Sequence, residues 1–333
     1  MSEPLVSVVT PFHNTAQYLA ECIESVLSQS YAHFEYILSD NCSTDGSSEI
    51  AERYARCDSR IRLVRQPRLL TQVQHYNSAL AEISESSKYC KMVQADDFLL
   101  PGSLSLLTNA FAQSDSIGLV SSYDLKGNNL RGSGYPFPMT FLAGRELAQR
   151  KLRTGLFVFG SPTTVMYRSS LVREQQPFFQ ESLLHEDTEK CMQILEHWDF
   201  GFVHQVLAFL RADNESISCA VANFRPRELD HYIVVQRYSS RFFSEPEAAA
   251  LKRDGKRIYY SALAKEAVQL RGPAFWEYQR KGLNTLNEKL DLPYLVLLTV
   301  KQILWLAINP GMAFLVAKDS VRRLSPRLGF FRR

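Results

Sequence analysis

The amino-acid sequence predicts an α/β fold, with a mainly parallel sheet flanked by helices and a helical region at the C-terminus. Short apolar runs rich in β-branched residues alternate with amphipathic stretches across residues 1–120, and this alternation is typical of right-handed βαβ units. Polar clusters directly follow three of the apolar runs. Beyond about residue 225, long amphipathic stretches such as Ala249–Leu270 predict helices.

The predicted strands are short apolar runs bounded by polar or turn-forming residues. Leu5–Thr10 is unbroken and apolar, as in a strand buried on both faces, and Pro11 is expected to end it. Asn14 or Thr15 is a suitable N-cap for the helix that follows. Further strands are predicted at Tyr36–Leu38, Ile61–Val64 and Tyr89–Val93, and a helix at Val73–Ile83.

The composition is that of an ordinary folded protein. Of 333 residues, 45% are hydrophobic and 22% are charged, which argues against extensive disorder. The net charge of +3 is too small to predict a nucleic-acid partner. The six cysteines include no C-x-x-C pair, which disfavours a zinc site or a disulfide framework. Since Met1–Pro4 does not resemble a signal peptide, we expect reduced thiols and a cytoplasmic active site.

Polar side chains at three strand ends are expected to meet at one edge of the sheet. Pro11–Asn14 follows the first predicted strand, Asp40 the second, and the Asp96–Asp97 pair the strand that ends at Val93. Ligands of open α/β sheets bind outside the carboxyl ends of the strands. The sequence therefore predicts a binding site at this edge.

Adjacent carboxylates such as Asp96 and Asp97 repel each other, and a cation, protonation or full solvation would relieve the repulsion. A hard divalent cation that bridges a diphosphate needs only one or two carboxylates from the protein. Taken in isolation, the pair is more simply explained as an acidic turn or a helix cap. Two interpretations also stand for Asp40, which could accept a hydrogen bond from a nucleobase or cap a helix. His13 could stack on that base or simply be solvated.

Several segments, in order and spacing, resemble the family 2 glycosyltransferases of the GT-A fold. They read VSVVTPFHN at 6–14, SDNCSTDG at 39–46, and ADD at 95–97 with Pro101 nearby. The likeness extends to GSPTTVMYR at 160–168, HED at 185–187 and VLAFLR at 206–211, and so covers Leu5–Ser218.

The resemblance implies a role for each matching residue. Asp40 would bind the nucleobase, flanked by the loop of Pro11, His13 and Asn14. Asp96 would lie near the donor ribose or the metal, and Asp97 would be the principal ligand of Mg²⁺ or Mn²⁺. Asp187 would be the general base that takes a proton from the acceptor hydroxyl, while the sugar carbon is attacked opposite the leaving diphosphate. Family members of this kind invert the anomeric centre.

Two departures from the family pattern affect the expected metal site. Gln94 stands where the family has an aspartate two residues before Asp96, so the D-x-D motif is reduced to Asp96 and Asp97. Where relatives often carry a histidine, this chain has Arg211-Ala212-Asp213. We expect Asp213 to replace that histidine as a metal ligand and Arg211 to counter the diphosphate charge.

The predicted catalytic domain spans 1–220, with a nucleotide-sugar half over 1–120 and an acceptor half over 121–220. Within the second half, Gly127–Pro138 is expected to form a mobile loop or a flap facing the acceptor. Residues 221–333 are predicted to be helical and to touch the membrane. There Leu292–Ala307 is apolar but broken by Lys301 and Gln302, and an arginine-rich tail follows. This pattern predicts an interfacial anchor on an anionic membrane rather than a span, although a helix packed on the catalytic domain is the alternative.

The predicted function is inverting sugar transfer from a nucleotide-diphosphate donor, most plausibly a UDP-sugar. The acceptor would be a hydroxyl of a glycan or lipid-linked molecule in polysaccharide or glycolipid synthesis at the inner face of the plasma membrane. One alternative is an inactive nucleotide-sugar-binding or scaffold protein, which would not need Asp187. Another is a sugar nucleotidyltransferase, which would show a glycine-rich basic loop after Val9. Neither G-x-G-x-x-G nor G-x-x-x-x-G-K-[ST] occurs, which disfavours dinucleotide and P-loop chemistry.

Overall fold

The computed structural model describes residues 3–182, 185–212 and 224–312. Two units divide the chain, Met1–Cys219 and Ala220–Arg333. Asp213, the predicted replacement metal ligand, lies outside the described residues, as does the arginine-rich tail after Met312. The metal role of Asp213 stays a prediction.

The strands of the first unit join into one ten-stranded sheet in the order β3-β2-β1-β4-β9-β6-β10-β5, with β7 and β8 paired to β6 and β10. The strands are β1 (Val6–Phe12), β2 (Phe34–Asp40), β3 (Ile61–Arg65), β4 (Tyr89–Met92), β5 (Phe98–Leu99), β6 (Ile117–Lys126), β7 (Asn129–Arg131), β8 (Phe141–Leu142), β9 (Met166–Arg168) and β10 (Asp199–Leu210).

Helices surround this sheet and make up the described part of the second unit. In the first unit they are α1 (Ala16–Leu27), α2 (Ser47–Cys57), α3 (Gln72–Leu80), α4 (Ser103–Phe111), α5 (Gly144–Thr154), α6 (Ser169–Glu174) and α7 (Glu186–Ile194). In the second unit they are α8 (Pro226–Phe242), α9 (Glu245–Val268), α10 (Pro273–Asn284) and α11 (Leu292–Ala307).

The long ladders of the sheet are parallel, as the alternation of strands and helices predicts. β3, β2, β1 and β4 pair in parallel, and so do β6 and β10. Between these two groups β9 runs antiparallel to both β4 and β6. The predicted α/β fold is confirmed, and the antiparallel β9 explains why the alternation weakens in the sequence after residue 121.

The prediction that Pro11 ends the first strand was wrong. β1 runs through Pro11 to Phe12, and Phe12 is the register partner of Asp40 on β2. The β1–β4 ladder has already stopped at the Val9–Met92 pair. Val9 directs its carbonyl to β4, and residues two apart face the same way. The missing N–H of Pro11 therefore lies where no ladder bond is needed.

The glycine-rich stretch Gly127–Pro138, predicted as a mobile loop or flap, begins as a hairpin. Its first residues turn at Gly127, which has a φ of +56°, and β7 then pairs antiparallel with β6. This hairpin carries Arg131 back to the buried Asp124 on β6. In the part of the chain that the structure describes, no helix combines the length and hydropathy needed to cross a bilayer.

Candidate active site

Asp40 lies at the carboxyl end of β2, level with the last residue of β1. Only 3% of it is exposed. Its Oδ1 accepts a hydrogen bond from the Ser43 N–H at 2.9 Å, and its Oδ2 accepts one from the Ser48 hydroxyl. The carboxylate thus holds the turn that enters α2, as the capping interpretation expects. Each oxygen keeps a second lone pair, so capping and base binding are compatible.

The loops after β1 and β2 are hydrogen-bonded to each other. Asn14, in the left-handed region with a φ of +51°, donates its N–H to the Ser43 hydroxyl at 3.1 Å. Its side-chain oxygen accepts the Thr44 N–H at 2.8 Å. These bonds brace the polar loop predicted to flank a nucleobase against the loop that carries Asp40.

Asp45 caps two helices at once. Its Oδ1 accepts the Ser47 N–H at 3.0 Å in the first turn of α2, and its Oδ2 accepts the Ala16 N–H at 2.9 Å in the first turn of α1. Thr15 is the N-cap of α1, as one of the two predicted alternatives, but its side chain makes no capping bond. Partial burial raises the pKa of Asp45, yet these hydrogen bonds outweigh burial and leave the pKa below its usual value.

His13 projects from the same braced corner and is exposed. Its Nδ1 lies 2.7 Å from the main-chain oxygen of Asn41. Since a carbonyl only accepts, Nδ1 carries the proton and the ring orientation is fixed. A held, exposed aromatic ring beside Asp40 has the geometry that base stacking requires.

Asp97 is buried, with 5% exposed, whereas the neighbouring Asp96 is half-buried. The Thr163 hydroxyl donates to its Oδ2 at 2.7 Å, and the Arg211 N–H donates to its Oδ1 at 3.3 Å. Burial, and then the charge of Asp96, raise the pKa of Asp97 to about 7. A divalent cation would offset both effects, because it favours the ionised form.

The donor set therefore fits a hard cation of the Mg²⁺ or Mn²⁺ kind. Two adjacent carboxylates are enough when phosphate and water oxygens complete the octahedron. Over the residues that the structure describes, no cluster of three or more His, Cys, Asp or Glu side chains forms a complete protein cage. Such a cage is not needed for an ion that the substrate itself helps to bind.

Tyr76 on α3 interacts with residues around the Asp96–Asp97 pair and senses the charge of Glu186. Its hydroxyl accepts hydrogen bonds from the side-chain nitrogens of Gln72 at 2.7 Å and Gln94 at 2.9 Å. Burial raises its pKa, and the charges of Glu186 and Asp96 raise it further. The phenol therefore lies within electrostatic reach of both Asp96 and Glu186.

Glu186 and Asp187 form the first turn of α7. Burial, and then the charge of Asp187, raise the pKa of Glu186 to about 7. The Oδ1 of Asp187 accepts the N–H of Thr188 at 2.6 Å. Acidic residues at a helix N-terminus are stabilised by the helix dipole, so both carboxylates also satisfy the simpler structural interpretation.

Arg211 contacts the site through its backbone rather than its guanidinium group. Its N–H donates to Asp97, whereas its guanidinium pairs with Glu21 on α1 and lies 4.7 Å from the Tyr18 ring. A guanidinium carries five N–H donors, so the pair with Glu21 does not by itself exclude a diphosphate. The predicted phosphate role of Arg211 stays a prediction.

A buried polar layer below Asp97 was missed by sequence reasoning. Lys91 on β4 donates from Nζ to the main-chain oxygens of Thr163 and Val165, the latter at 3.2 Å. Burial lowers the pKa of Lys91 to about 7, and the charge of Asp124 opposes that shift. Both contacts hold the backbone of the segment whose Thr163 hydroxyl binds Asp97.

Asp124 and Arg131 form the second part of this layer. Arg131 donates from Nε to Asp124 Oδ1 at 2.5 Å, and the Thr164 hydroxyl donates to Asp124 Oδ2 at 2.8 Å. The positive charge of Arg131 also lowers the pKa of Asp97, against the larger effect of burial. The only sequence signal for this layer was the family-like segment that contains Thr163 and Thr164.

The model of the Glycosyl transferase family 2 matches residues 7–175, about half of the chain and the part that carries the braced loops and the acidic pair. The chain belongs to glycosyltransferase family 2. The same conclusion is reached from the motifs at Asp40 and at Asp96–Asp97, so the predicted resemblance is confirmed.

Among curated members of the family, the glycosyltransferase GlyG of Streptococcus pneumoniae serotype 4 is 31% identical over 180 residues. The match covers 53% of this chain and 58% of GlyG. The putative teichuronic acid biosynthesis glycosyltransferase TuaG of Bacillus subtilis is 47% identical over 62 residues, or 19% of this chain and 25% of TuaG. This chain thus matches less than two thirds of the length of these relatives.

The fold is shared with a solved structure. TarS of S. aureus, residues 1–349 in complex with UDP-GlcNAc, superposes with a TM-score of 0.60 at 20% identity, over 84% of this chain and 79% of that one. The predicted GT-A fold of this family 2 member is confirmed.

Proposed function

We propose that this family 2 member is an inverting glycosyltransferase that moves a sugar from a nucleotide-diphosphate donor to an acceptor hydroxyl. The observation that carries the proposal is the buried Asp97, whose pKa is raised to about 7 beside Asp96 at the carboxyl edge of the sheet. A raised carboxyl pKa marks a position where a cation would restore the charged form. Family membership supplies the reaction class.

The nucleoside would bind at the corner formed by the loops after β1 and β2. Asp40 would accept a hydrogen bond from the base, His13 would stack on it, and Pro11 and Asn14 would shape the floor. UDP-sugars are the proposed donors, and TarS binds UDP-GlcNAc in its crystal structure. The bonds from Asn14 to Ser43 and Thr44 support this site, because they fix it before a ligand arrives.

Asp97, assisted by Asp96, would hold the divalent cation. When bound, that cation would neutralise the negative charge that develops on the leaving diphosphate. Mn²⁺ accompanies GDP-Man in the solved Mannosyltransferase PcManGT from Pyrobaculum calidifontis, which superposes with a TM-score of 0.51 at 16% identity over 91% of this chain and 88% of that one. In this chain Thr163 and the Arg211 N–H orient the Asp97 carboxylate.

Asp187 would accept the proton of the acceptor hydroxyl as the sugar carbon is attacked from the face opposite the diphosphate. A positioned carboxylate base contributes about 10²–10⁴-fold to rate. Burial raises the pKa of Glu186 to about 7, so Glu186 would be partly protonated near neutral pH, which reduces the negative charge beside Asp187.

The acceptor belongs to the same proposal. It would be a hydroxyl of a glycan or lipid-linked molecule used to build a surface polysaccharide or glycolipid, as the similarity to TuaG, a putative teichuronic acid biosynthesis glycosyltransferase, supports. A cytoplasmic position at the inner face of the membrane would suit such an acceptor.

A calorimetric screen tests the proposal. UDP-, GDP-, CMP- and dTDP-sugars are titrated into the full chain with and without Mn²⁺, and into Asp97→Asn and Asp58→Asn. Asp58, which pairs with Arg60 at 2.7 Å away from the site, is the matched carboxylate control. We expect one donor class to bind with metal and to lose affinity in Asp97→Asn alone. Binding without turnover on any acceptor would favour the inactive binding protein instead, and no binding of any donor would contradict both.

A further inference from the structure

The last described helix, α11, leaves a broad apolar face uncovered. Leu295 and Leu306 are buried where α11 packs against α9. Apolar side chains on the other side are 44–62% exposed. They are Val296, Leu297, Val300, Ile303, Leu304 and Trp305.

These exposed side chains form one continuous stripe. Relative to Val296, the residues Val300, Ile303 and Leu304 fall at i+4, i+7 and i+8, the spacing of a single helix face. Single exposed apolar residues are common, but a contiguous stripe of this kind marks an interaction surface. Trp305 flanks the stripe, and tryptophan is enriched at membrane interfaces.

The helix is too short and too interrupted to span a bilayer. Sixteen residues rise about 24 Å, less than the ~30 Å of a hydrocarbon core. Lys301 lies within the helix and is exposed. An apolar face of this length on a charged domain suits a helix lying in the plane of the interface.

A basic cleft opens at the start of α11. It has a volume of about 550 Å³ and includes Lys252, Arg253, Lys256 and Lys289 among its lining residues. The cleft also contains two acidic residues, and both are engaged. Glu288 accepts the Tyr232 hydroxyl at 2.7 Å. Asp291 pairs with Lys256 at 2.8 Å and accepts the N–H of Tyr294 in the first turn of α11 at 3.1 Å.

We propose that α11 docks on an anionic lipid bilayer, with its apolar stripe among the acyl chains and the basic cleft against headgroup phosphates. The positive charge around α11 favours an anionic membrane as its binding partner. The cleft is basic, and after Leu292 the sequence has seven Lys and Arg residues against the single acid Asp319. A second copy of the chain would bring like charges together, whereas an anionic leaflet is attracted by each of them.

Flotation of the full chain with lipid vesicles tests this surface. Vesicles of phosphatidylcholine alone are compared with vesicles that also contain phosphatidylglycerol, in the absence of any donor. We expect binding to the anionic vesicles, reduced roughly tenfold or more in the triple variant Val300→Ser/Ile303→Ser/Leu304→Ser. The double variant Arg253→Gln/Lys289→Gln should lose roughly fivefold per charge on anionic vesicles only.

A matched control removes exposed apolar side chains elsewhere in the same unit. Ile258 and Leu270 are 51% and 82% exposed, and Ile258→Ser/Leu270→Ser should bind vesicles like the wild type. Circular dichroism melting checks that each variant is folded. Failure of the wild type to float, or equal flotation of the triple variant, would overturn the proposal. So would a dimer in light scattering that the triple variant abolishes, because that result assigns the stripe to a second copy. No sugar donor takes part, so these outcomes are independent of the proposed glycosyl transfer.

Discussion

The hydroxyl of Tyr76 accepts a hydrogen bond from the Gln94 carboxamide at 2.9 Å, within electrostatic reach of Asp96 and Glu186. Gln94 occupies the position where the family motif has an aspartate. Its neutral carboxamide donates to the phenol, which a carboxylate could not do. Gln94, which replaces the aspartate of the family motif, is thus hydrogen-bonded to Tyr76 on α3, 18 residues earlier in the sequence.

Replacing Tyr76 with phenylalanine should leave the amide of the half-buried Gln94 without its acceptor, whereas the exposed Gln72 can turn to water. The net contribution of one such hydrogen bond is about 0.5–1.5 kcal/mol, so we expect urea denaturation to show a loss of that order. Because Gln94 immediately precedes the acidic turn, the KM for the donor should rise as well. Tyr54→Phe removes a hydroxyl that donates to the exposed Glu24 and should change neither quantity. Equal behaviour of the two variants would contradict the role given to Tyr76.

Asp187→Asn should lower kcat about 10²–10⁴-fold, the contribution of a positioned general base, with little change in donor affinity. Glu186→Gln should lower kcat much less near neutral pH, because the pKa of Glu186 is already raised to about 7 and an amide resembles its protonated form. Steady-state kinetics with calorimetric donor binding separates the two effects. A larger loss in Glu186→Gln than in Asp187→Asn would reverse the assignment of the base.

Arg131→Met should destabilise the fold by about 3–5 kcal/mol, since it leaves the buried carboxylate of Asp124 unpaired. Asp124 is 1% exposed and Arg131 is 16% exposed. The double variant Arg131→Met/Asp124→Asn should regain most of that loss, because it removes the stranded charge too. Denaturant titration of the single and double variants makes the comparison. A double variant as unstable as the single one would show that packing, rather than charge, dominates.

His75 should make folding sensitive to mild acid. Burial lowers the pKa of His75 to about 4, against the opposing effects of Ser39 and Asp40, whereas an unfolded histidine titrates near pH ~6.5. As pH falls from 6.5 to 4, the unfolded chain therefore takes up a proton that the folded chain does not. This lowers the free energy of unfolding by an amount on the order of 2–3 kcal/mol.

The measurement is the pH dependence of unfolding in the wild type and in His75→Gln. In His75→Gln, the free energy of unfolding should lack the fall assigned to His75 between pH 6.5 and 4. The control His33→Gln replaces an exposed histidine and should follow the wild type. Parallel curves for the wild type and His75→Gln would exclude the effect.

The sequence predicts the strands of the first half and the polar loops that follow them, because both depend on local patterns. An apolar run followed by polar residues is visible within ten positions, as at Asp40. Tyr76, Thr163 and Arg131 gave no such signal. Their partners lie 18, 66 and 7 residues away, and only the placement of α3, β9 and the β6–β7 hairpin brings the side chains together.

Pro11 shows how a sound local rule fails in a particular sheet. A proline usually ends a strand because it lacks an N–H, but here the neighbouring ladder has already finished. The start of α1 is a similar case. A capping residue was expected just before the helix, whereas the bond to Ala16 comes from Asp45, 29 residues later. Caps supplied from another loop are not visible in a local pattern.

That shared cap has a thermodynamic consequence. Asp45 is bonded to the first turns of α1 and α2, and Asn14 is bonded to Ser43 and Thr44. The conformational entropy of these two loops is therefore lost when the protein folds, and not when a ligand binds. Association there would avoid the penalty of freezing a loop. In Asp45→Ala the loops would have to become ordered when the ligand binds. The affinity for the ligand would therefore fall, although Asp45 need not contact the ligand.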